Sequence, residues 1–119
     1  MEDGSVIDLN YAYAAYKNRE GSTNPYRKAD AKVPSCLLAF IKEGDNGLEK
    51  ARKAVDYVKK GNTAGPKGEK LVYKPEEVKL HAPLPSPGSK IAMAGANFYD
   101  HSIDAYKMLR GDTTTLEEL

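Results

Sequence analysis

The chain has 119 residues and a formal net charge of +1, with 40% hydrophobic and 29% charged residues. This length and composition are typical of one soluble globular domain with a modest core. The 18 basic and 17 acidic residues are balanced, so the charge predicts neither a nucleic acid nor an anionic membrane as a partner, and no apolar run approaches the roughly 20 residues of a membrane span.

The predicted elements begin with a short strand over residues 5–9, after a turn at Asp3 and Gly4. A hairpin turn at that position needs a partner strand before it, but only the first two residues precede it. Asp8 is expected to cap a helix over residues 9–17. The apolar stripe of this helix is formed by Leu9, Ala12, Tyr13 and Tyr16.

The middle of the chain is predicted to contain one polar loop and two helices. Residues 19–32 are polar and hold several turn-forming residues, which indicates a loop. Ser35 is expected to cap a helix whose apolar face comes from residues 37–41. A turn at residues 44–47 then leads to a second helix, which runs from residue 48 to about residue 59.

Cys36 is the single cysteine of the chain and cannot form an internal disulfide, so a reducing, cytoplasmic (cytosolic) compartment is expected. One interpretation of this thiol is a catalytic nucleophile. The favoured interpretation is a small, partly buried packing residue at the start of the first of the two helices.

The last third of the chain is predicted to pass from extended pieces through a connector into a new unit. Residues 70–74 and 75–80 are predicted to be extended. Residues 81–88 hold three prolines and cannot form a helix, which indicates a stiff connector. A buried strand over residues 90–94 and a helix over residues 99–109 are expected to follow.

A capping-box signature close to the last residue predicts a further helix. Thr114 with Glu117, or Thr115 with Glu118, is the pattern that opens a helix, and the sequence stops at Leu119. Together with the hairpin turn that lacks a preceding strand, this signature predicts that the sequence is one piece of a longer one.

The residues with the clearest chemical potential lie in the segment 95–104. His101 and Asp104 are three residues apart, so they share one face if a helix begins here. A histidine beside a carboxylate on a common face is the minimal equipment of a general base. The other histidine, His81, has no second metal ligand nearby in the sequence and is expected at the surface.

Four segments, taken in order, carry a family resemblance. They are Val-Ile-Asp-Leu at 6–9, Val-Pro-Ser-Cys-Leu-Leu at 33–38, the proline-rich stretch at 77–91, and Gly-Ala-Asn-Phe-Tyr-Asp-His at 95–101. The ordered set resembles the N-terminal part of the fumarylacetoacetate hydrolase family. That family's small N-terminal domain typically runs from an Ile-Asp-Leu strand through two helices to a proline-rich connector, and its catalytic domain opens with a strand and a Gly-x-Asn-Tyr-x-x-His pattern. The resemblance covers most of the chain and depends on the order of the segments, since no single segment is specific.

The predicted elements and the resemblance together imply an α/β (α+β) fold. Residues 1–82 would form a small N-terminal domain of a few short strands with two or three helices. Residues 83–89 would be the proline-rich connector. Residues 90–119 would be the strand and lid helix that open an incomplete catalytic domain.

The resemblance also implies a metal-dependent cytosolic enzyme that hydrolyses carbon–carbon bonds of β-diketo acids, or decarboxylates, dehydrates or isomerises related oxo acids. Mg²⁺ or Ca²⁺ would hold the oxo-acid oxygens and stabilise the developing enolate. His101 matches the family's catalytic histidine, and Asp104 stands where many relatives carry a glutamate, so these two are the expected catalytic residues. Asn97 and Tyr99 are the expected substrate-binding residues.

The family's metal ligands are acidic residues that lie mostly after this motif, so no metal ligand is assigned in this chain and no bound ion is expected. The chain would then be an inactive N-terminal fragment of the enzyme, with a homo-oligomer or the missing catalytic domain as its partner. The alternative is a stand-alone interaction or dimerisation module, whose helices at 35–43 and 48–59 would pack on a partner. Such a module has no need of the motif in the 90–119 segment, which favours the fragment.

Overall fold

The computed structural model describes residues 1–85 and seven residues beyond them: Gly88, Lys90, Ala92, Met93, Asp104, Lys107 and Met108. The chain divides into two compact units, Met1–Ser86 and Pro87–Leu119. All the elements described below belong to the first unit. The predicted limits of the connector, at residues 83 and 89, stay predictions.

The first unit mixes helices with a small sheet. In chain order, its elements are β1 (Val6–Ile7), α1 (Leu9–Arg19), α2 (Pro25–Lys32), α3 (Leu37–Lys42), α4 (Gly44–Lys59) and β2 (Val72–Tyr73), followed by a 3₁₀ turn at Pro75–Glu77. This mixture confirms the α/β (α+β) fold class for the described residues. The 3₁₀ turn replaces the beginning of an extended piece predicted there, because the Glu77 carboxylate accepts the Lys74 N–H (2.7 Å) and closes the turn.

The partner of β1 comes from far along the chain. β1 and β2 pair antiparallel, with Val6 opposite Tyr73 and Ile7 opposite Val72. The expectation that the turn at residues 3 and 4 joins β1 to a preceding strand is therefore wrong for this pair, because the segment after α4 supplies the partner. Local turn rules cannot reveal such a pair, since packing of the intervening helices brings the two strands together.

α1 is the central helix of the unit and confirms the predicted cap and stripe. The Asp8 carboxylate accepts a hydrogen bond from the Tyr11 N–H (3.0 Å), which satisfies a donor that the first helical turn leaves free. α1 packs against both α2 and α4. The buried core consists of Ala12, Tyr13, Ala14, Ala15, Ala29, Val33, Ala54, Val58 and Leu71. Five of these nine are alanines, so the helices approach closely around a modest core.

α2 corrects the loop predicted over residues 19–32, of which the last eight are helical. Pro25 occupies the first turn, where its fixed φ and missing N–H suit a helix start. Ala29 is buried, and the Asn10 side chain of α1 donates to the Val33 carbonyl just after α2 (2.9 Å). A helix that buries one small residue has no apolar stripe, so its sequence looks like that of a polar loop.

α3 and α4 are separated by Glu43 alone, and the turn predicted over residues 44–47 is wrong. Gly44 opens α4 with a φ of +58°, a left-handed conformation that glycine adopts without strain. Gly47 is buried in α4, where a Cβ would come within 2.7 Å of the Glu43 Cβ. Both glycines therefore serve a helix junction. Ser35 does not cap α3, whose N-cap is Cys36 without a side-chain hydrogen bond.

The apolar residues of α3 are exposed, contrary to the expected core-facing stripe. None of its six residues is buried, and Leu37, Leu38 and Ile41 expose 44%, 39% and 54% of their surface. Phe40 alone in this helix packs against the core. Cys36 is exposed as well, so its interpretation as a partly buried packing residue is wrong. The physical reason is that α3 contacts mainly α4 and lies outside the core that α1, α2 and α4 close.

No helix in the described part of the chain is both long and apolar enough to cross a bilayer.

Candidate functional site

Three of the four predicted site residues, Asn97, Tyr99 and His101, lie outside the described residues, so their roles stay predictions. Asp104 is described, and it is exposed with a helical backbone. The pairing of Asp104 with His101 stays a prediction. His81 is exposed, as the sequence predicts.

The described residues do not fit the Mg²⁺ or Ca²⁺ ion that the resemblance implies. These hard cations take about six or more oxygen ligands, several of them usually carboxylates. Within residues 1–85 and the seven described beyond them, no three His, Cys, Asp or Glu side chains come together as a possible site. We therefore assign no metal ligand and derive no metal-dependent step for this part of the chain.

A polar cleft of about 470 Å³ lies between the C-terminal ends of α1 and α4, within the usual size range of small-molecule sites. This tyrosine cleft is lined by Tyr16, Arg19, Glu20, Lys53, Asp56, Tyr57 and Lys60. The rings of Tyr16 and Tyr57 meet edge to face with their centroids 6.1 Å apart. The Arg19 guanidinium lies 5.9 Å from the centroid of the Tyr57 ring.

The acidic group on the α1 side of the tyrosine cleft is already paired. Glu20 forms an ion pair with Lys17 and accepts a hydrogen bond from the Tyr16 hydroxyl, both at 2.5 Å. Lys17, and to a smaller extent Tyr16, hold the pKa of Glu20 below its ordinary value, while the bond to Glu20 raises the pKa of Tyr16. A carboxylate with a lowered pKa is a weak base and a tyrosine with a raised pKa is a weak acid, so this pair is unsuited to proton transfer near neutral pH. The basic residues also suit two helix C-termini, where cations are favoured.

An apolar groove of about 320 Å³ lies beside α3. It is lined by Cys36, Leu37, Leu38, Pro83, Leu84 and Pro85. The sequence pattern predicts a core-facing helix for some of these residues and a connector for the others, and it does not predict that they meet. The sequence feature that could have indicated this groove is a pair of uncharged stretches, at residues 33–41 and 82–85. That the two stretches come together is visible only in the structure.

The chain is similar to the oxaloacetate tautomerase YisK of Bacillus subtilis (strain 168), with 38% identity over 72 residues. The aligned residues make up 60% of this chain and 23% of the relative, so the match spans under a quarter of the relative's length. No family model matches the chain, and no solved structure matches it. The similarity supports the resemblance to the fumarylacetoacetate hydrolase family.

Proposed function

We propose that the chain is the N-terminal part of a fumarylacetoacetate hydrolase-like enzyme that acts on oxo acids. The observation that carries the proposal is the 38% identity over 72 residues to an oxaloacetate tautomerase, of which the match covers 23%. Because the matched part is a minor share of that relative, the activity is proposed for a whole enzyme. The chain alone is expected to be inactive.

The proposed chemistry centres on proton transfer. A tautomerase moves a proton between a carbon beside a carbonyl group and the carbonyl oxygen, which requires a general base. His101 is our candidate for the base, and Asp104 would orient its imidazole with a carboxylate one carbon–carbon bond shorter than a glutamate. Asn97 and Tyr99 would bind the oxygens of the substrate. Hydrolysis or decarboxylation of a related oxo acid calls for the same residue types, so these residues do not identify the substrate. Oxaloacetate is the first substrate to test because the similar protein is an oxaloacetate tautomerase.

The remaining parts of the proposal concern the whole enzyme. We propose that the whole enzyme depends on Mg²⁺ or Ca²⁺. The ligands of this ion would be residues other than those that the structure describes. A cytosolic location is proposed because Cys36 has no disulfide partner in the chain. The proposed partner is a second copy of the enzyme or a catalytic domain that follows this chain.

An assay of oxaloacetate tautomerisation tests the proposal. The reaction is monitored by the loss of the ultraviolet absorbance of the enol form. We expect the 119-residue chain to give no rate above that of buffer, with or without Mg²⁺. We expect the reading frame to continue past codon 119 and its full product to accelerate the reaction. Turnover by the chain alone would contradict the fragment. A full product that is inactive on oxaloacetate and on acylpyruvates would contradict the enzyme.

A stand-alone interaction or dimerisation module without catalysis is the alternative function. The exposure of Leu37, Leu38 and Ile41 on α3 favours it, because a group of large apolar side chains at the surface often marks a contact site. A reading frame that ends at codon 119, together with a stable complex of this chain, would decide for the module.

A further inference from the structure

We propose that the tyrosine cleft binds a small organic anion, namely a flat molecule that carries a single carboxylate. The cleft has a volume of about 470 Å³ and lies between the C-terminal ends of α1 and α4. None of its residues belongs to the predicted active-site segment at 95–104, so this binding site is independent of the proposed oxo-acid chemistry.

Two cations of the cleft have no carboxylate partner among the described residues. Glu20 is already paired with Lys17, and Lys53 pairs with a carboxylate that does not line the cleft, at 2.8 Å. Neither Arg19 nor Lys60 forms an ion pair within the described part of the chain. A guanidinium group presents its N–H donors in a planar fork that matches a carboxylate, and charged hydrogen bonds of this kind are stronger than neutral ones. A carboxylate ligand would therefore supply the partner that these two cations lack.

Tyr57 positions the Arg19 side chain at the cleft. The guanidinium lies 5.9 Å from the centroid of the Tyr57 ring. The ring itself is half-buried, packs against the core and meets Tyr16 edge to face. A cation–π contact uses the face of the ring and leaves the N–H donors of the guanidinium available for a ligand. The cleft thus combines a fixed aromatic wall with a cation beside it.

Cations also complement the C-terminal ends of helices, and this effect alone would place basic residues here. Lys59, in the last turn of α4, serves that effect without lining the cleft. Arg19 and Lys60 differ from it because they converge with two tyrosine rings on one concave space. Convergent polar groups beside aromatic walls are typical of small-molecule sites. A comparison of Lys60 with Lys59 therefore separates the two explanations.

The charge of the lining decides which anion fits. Three cations and two carboxylates line the cleft, so the lining carries one net positive charge. Asp56 has no ion pair among the described residues and would repel a second negative charge on the ligand. A monocarboxylate therefore suits the cleft better than phosphate or a tricarboxylate does. The two tyrosine rings favour a flat body that packs against them.

An NMR titration of the full 119-residue chain with benzoate tests the proposal. Benzoate is a flat monocarboxylate, benzamide is its neutral analogue of the same shape, and citrate is a tricarboxylate. At constant ionic strength, we expect benzoate to shift the amide signals of residues 16–20 and 56–60 in a saturable way, with a dissociation constant of about 1 mM or lower. Benzamide and citrate should each bind at least about tenfold more weakly.

Matched variants test the two cations. Arg19→Gln removes the charge and should raise the dissociation constant for benzoate at least about tenfold. Arg52→Gln, the same substitution at an exposed position of α4 that does not line the cleft, should leave the constant unchanged. Lys60→Gln should raise the constant at least about threefold, and Lys59→Gln should not. The amide spectrum of each variant checks that it is folded.

Several outcomes would overturn the proposal. Without saturable shifts, or with shifts only at other residues, the cleft would be an ordinary charged surface. Benzamide that binds as tightly as benzoate would exclude a role for the cations, and tighter binding of citrate would exclude a monocarboxylate as the ligand class. Equal losses in Arg19→Gln and Arg52→Gln would show that the overall charge, and not this site, attracts benzoate. If Arg19→Gln does not fold, the comparison of Lys60→Gln with Lys59→Gln decides the question. The oxaloacetate assay reports separately on the proposed function.

Discussion

The hydroxyl of Tyr26 donates a hydrogen bond to the carboxylate of Glu69, which lies 43 residues further along the chain. Glu69 also accepts the N–H of Lys67 (2.9 Å), so one carboxylate joins α2 to the loop that leads into β2. Because β2 pairs with β1, this contact links α2 to the two-stranded sheet. The sequence pattern does not predict α2.

Replacing Tyr26 with phenylalanine is expected to lower the stability of the chain at neutral pH. The variant keeps the packing of the ring but removes the donor that the Glu69 carboxylate uses. The same bond is the main reason that the pKa of Glu69 lies below its ordinary value of 4.5, so that pKa should rise in the variant. The midpoint of urea unfolding and an NMR titration of the Glu69 carboxyl carbon measure the two effects.

The stability that Tyr26 and Glu69 contribute should depend on pH at both ends of the scale. The lowered pKa of Glu69 means that its contribution is present above pH 4.5 and is lost as the pH falls further, through the folded-state pKa. Partial burial, and then the bond to Glu69, raise the pKa of Tyr26 from 10.0 to about 12, so its contribution is present below pH 10 and is lost as the pH rises through 12. The difference in urea midpoint between the wild type and Tyr26→Phe should therefore be constant from about pH 4.5 to 10 and shrink outside that range.

Tyr11→Phe is the matched control for Tyr26→Phe. The Tyr11 ring packs edge to face on Tyr26 at 6.2 Å, but its hydroxyl has no hydrogen-bond partner within the described residues. Its removal should leave the urea midpoint nearly unchanged at every pH. Equal losses in the two variants would mean that removing a tyrosine hydroxyl at either position has the same cost, and that the bond to Glu69 does not carry the effect.

Asn10→Ala is expected to destabilise the chain by about 1–3 kcal/mol, because it leaves a buried acceptor unpaired. The Asn10 side chain is 8% exposed, and its amide donates to the Val33 carbonyl at 2.9 Å and to the Asp30 carboxylate at 3.1 Å. The free energy of urea unfolding measures the loss. Asn18→Ala, at an exposed position of the same helix, should be neutral or slightly stabilising. A loss in Asn10→Ala no greater than in the control would refute a stabilising role for these bonds.

The comparison of α1 with α2 indicates which parts of the fold sequence patterns can predict. α1 was predictable because its signals are local: Asp8 caps it, and its apolar stripe repeats at helical spacing. α2 was missed because what holds it is tertiary, namely a buried Ala29 against α1 and a hydrogen bond from Asn10. Pairing between β1 and β2 belongs to the same class, since the strands are brought together by the helices between them.

The candidate site divides in the same way. The motif around His101 is visible in the sequence because its residue types and spacing are local. The apolar groove beside α3 was not predictable, because Leu37 and Leu38 have the same pattern whether a core or another chain covers them. Their exposure depends on where α3 docks, and the Glu43–Gly44 junction sets that position through a left-handed glycine.

Gly47→Ala is expected to lower the free energy of unfolding by about 1 kcal/mol, although alanine is the better helix former by about the same amount. The added methyl group would lie 2.7 Å from the Glu43 Cβ and 3.3 Å from the Phe40 ring. The nearer atom belongs to the stem of the side chain, so the backbone of the α3–α4 junction must shift. Urea unfolding measures the net effect. Asn46→Ala, at the exposed neighbouring position in α4, is the control and should raise the free energy of unfolding by about 0.5 kcal/mol. A similar increase in Gly47→Ala would show that the α3–α4 junction accommodates the methyl group without cost.

His101→Asn in the full product of the reading frame is expected to lower the rate of oxaloacetate tautomerisation by about 10²–10⁴-fold, the range typical of a lost general base. Asp104→Asn keeps the size of the side chain but removes its charge, so a smaller loss is expected if Asp104 orients His101. Asp104→Glu keeps the carboxylate and lengthens the side chain by one carbon atom, so it should retain activity. Steady-state rates as a function of pH provide the measurement, since loss of the base should also remove the acidic limb of the profile. Equal activity in His101→Asn and the wild type would exclude His101 as the general base. Full activity in Asp104→Asn would exclude only the orienting role of Asp104 and leave His101 as the candidate base.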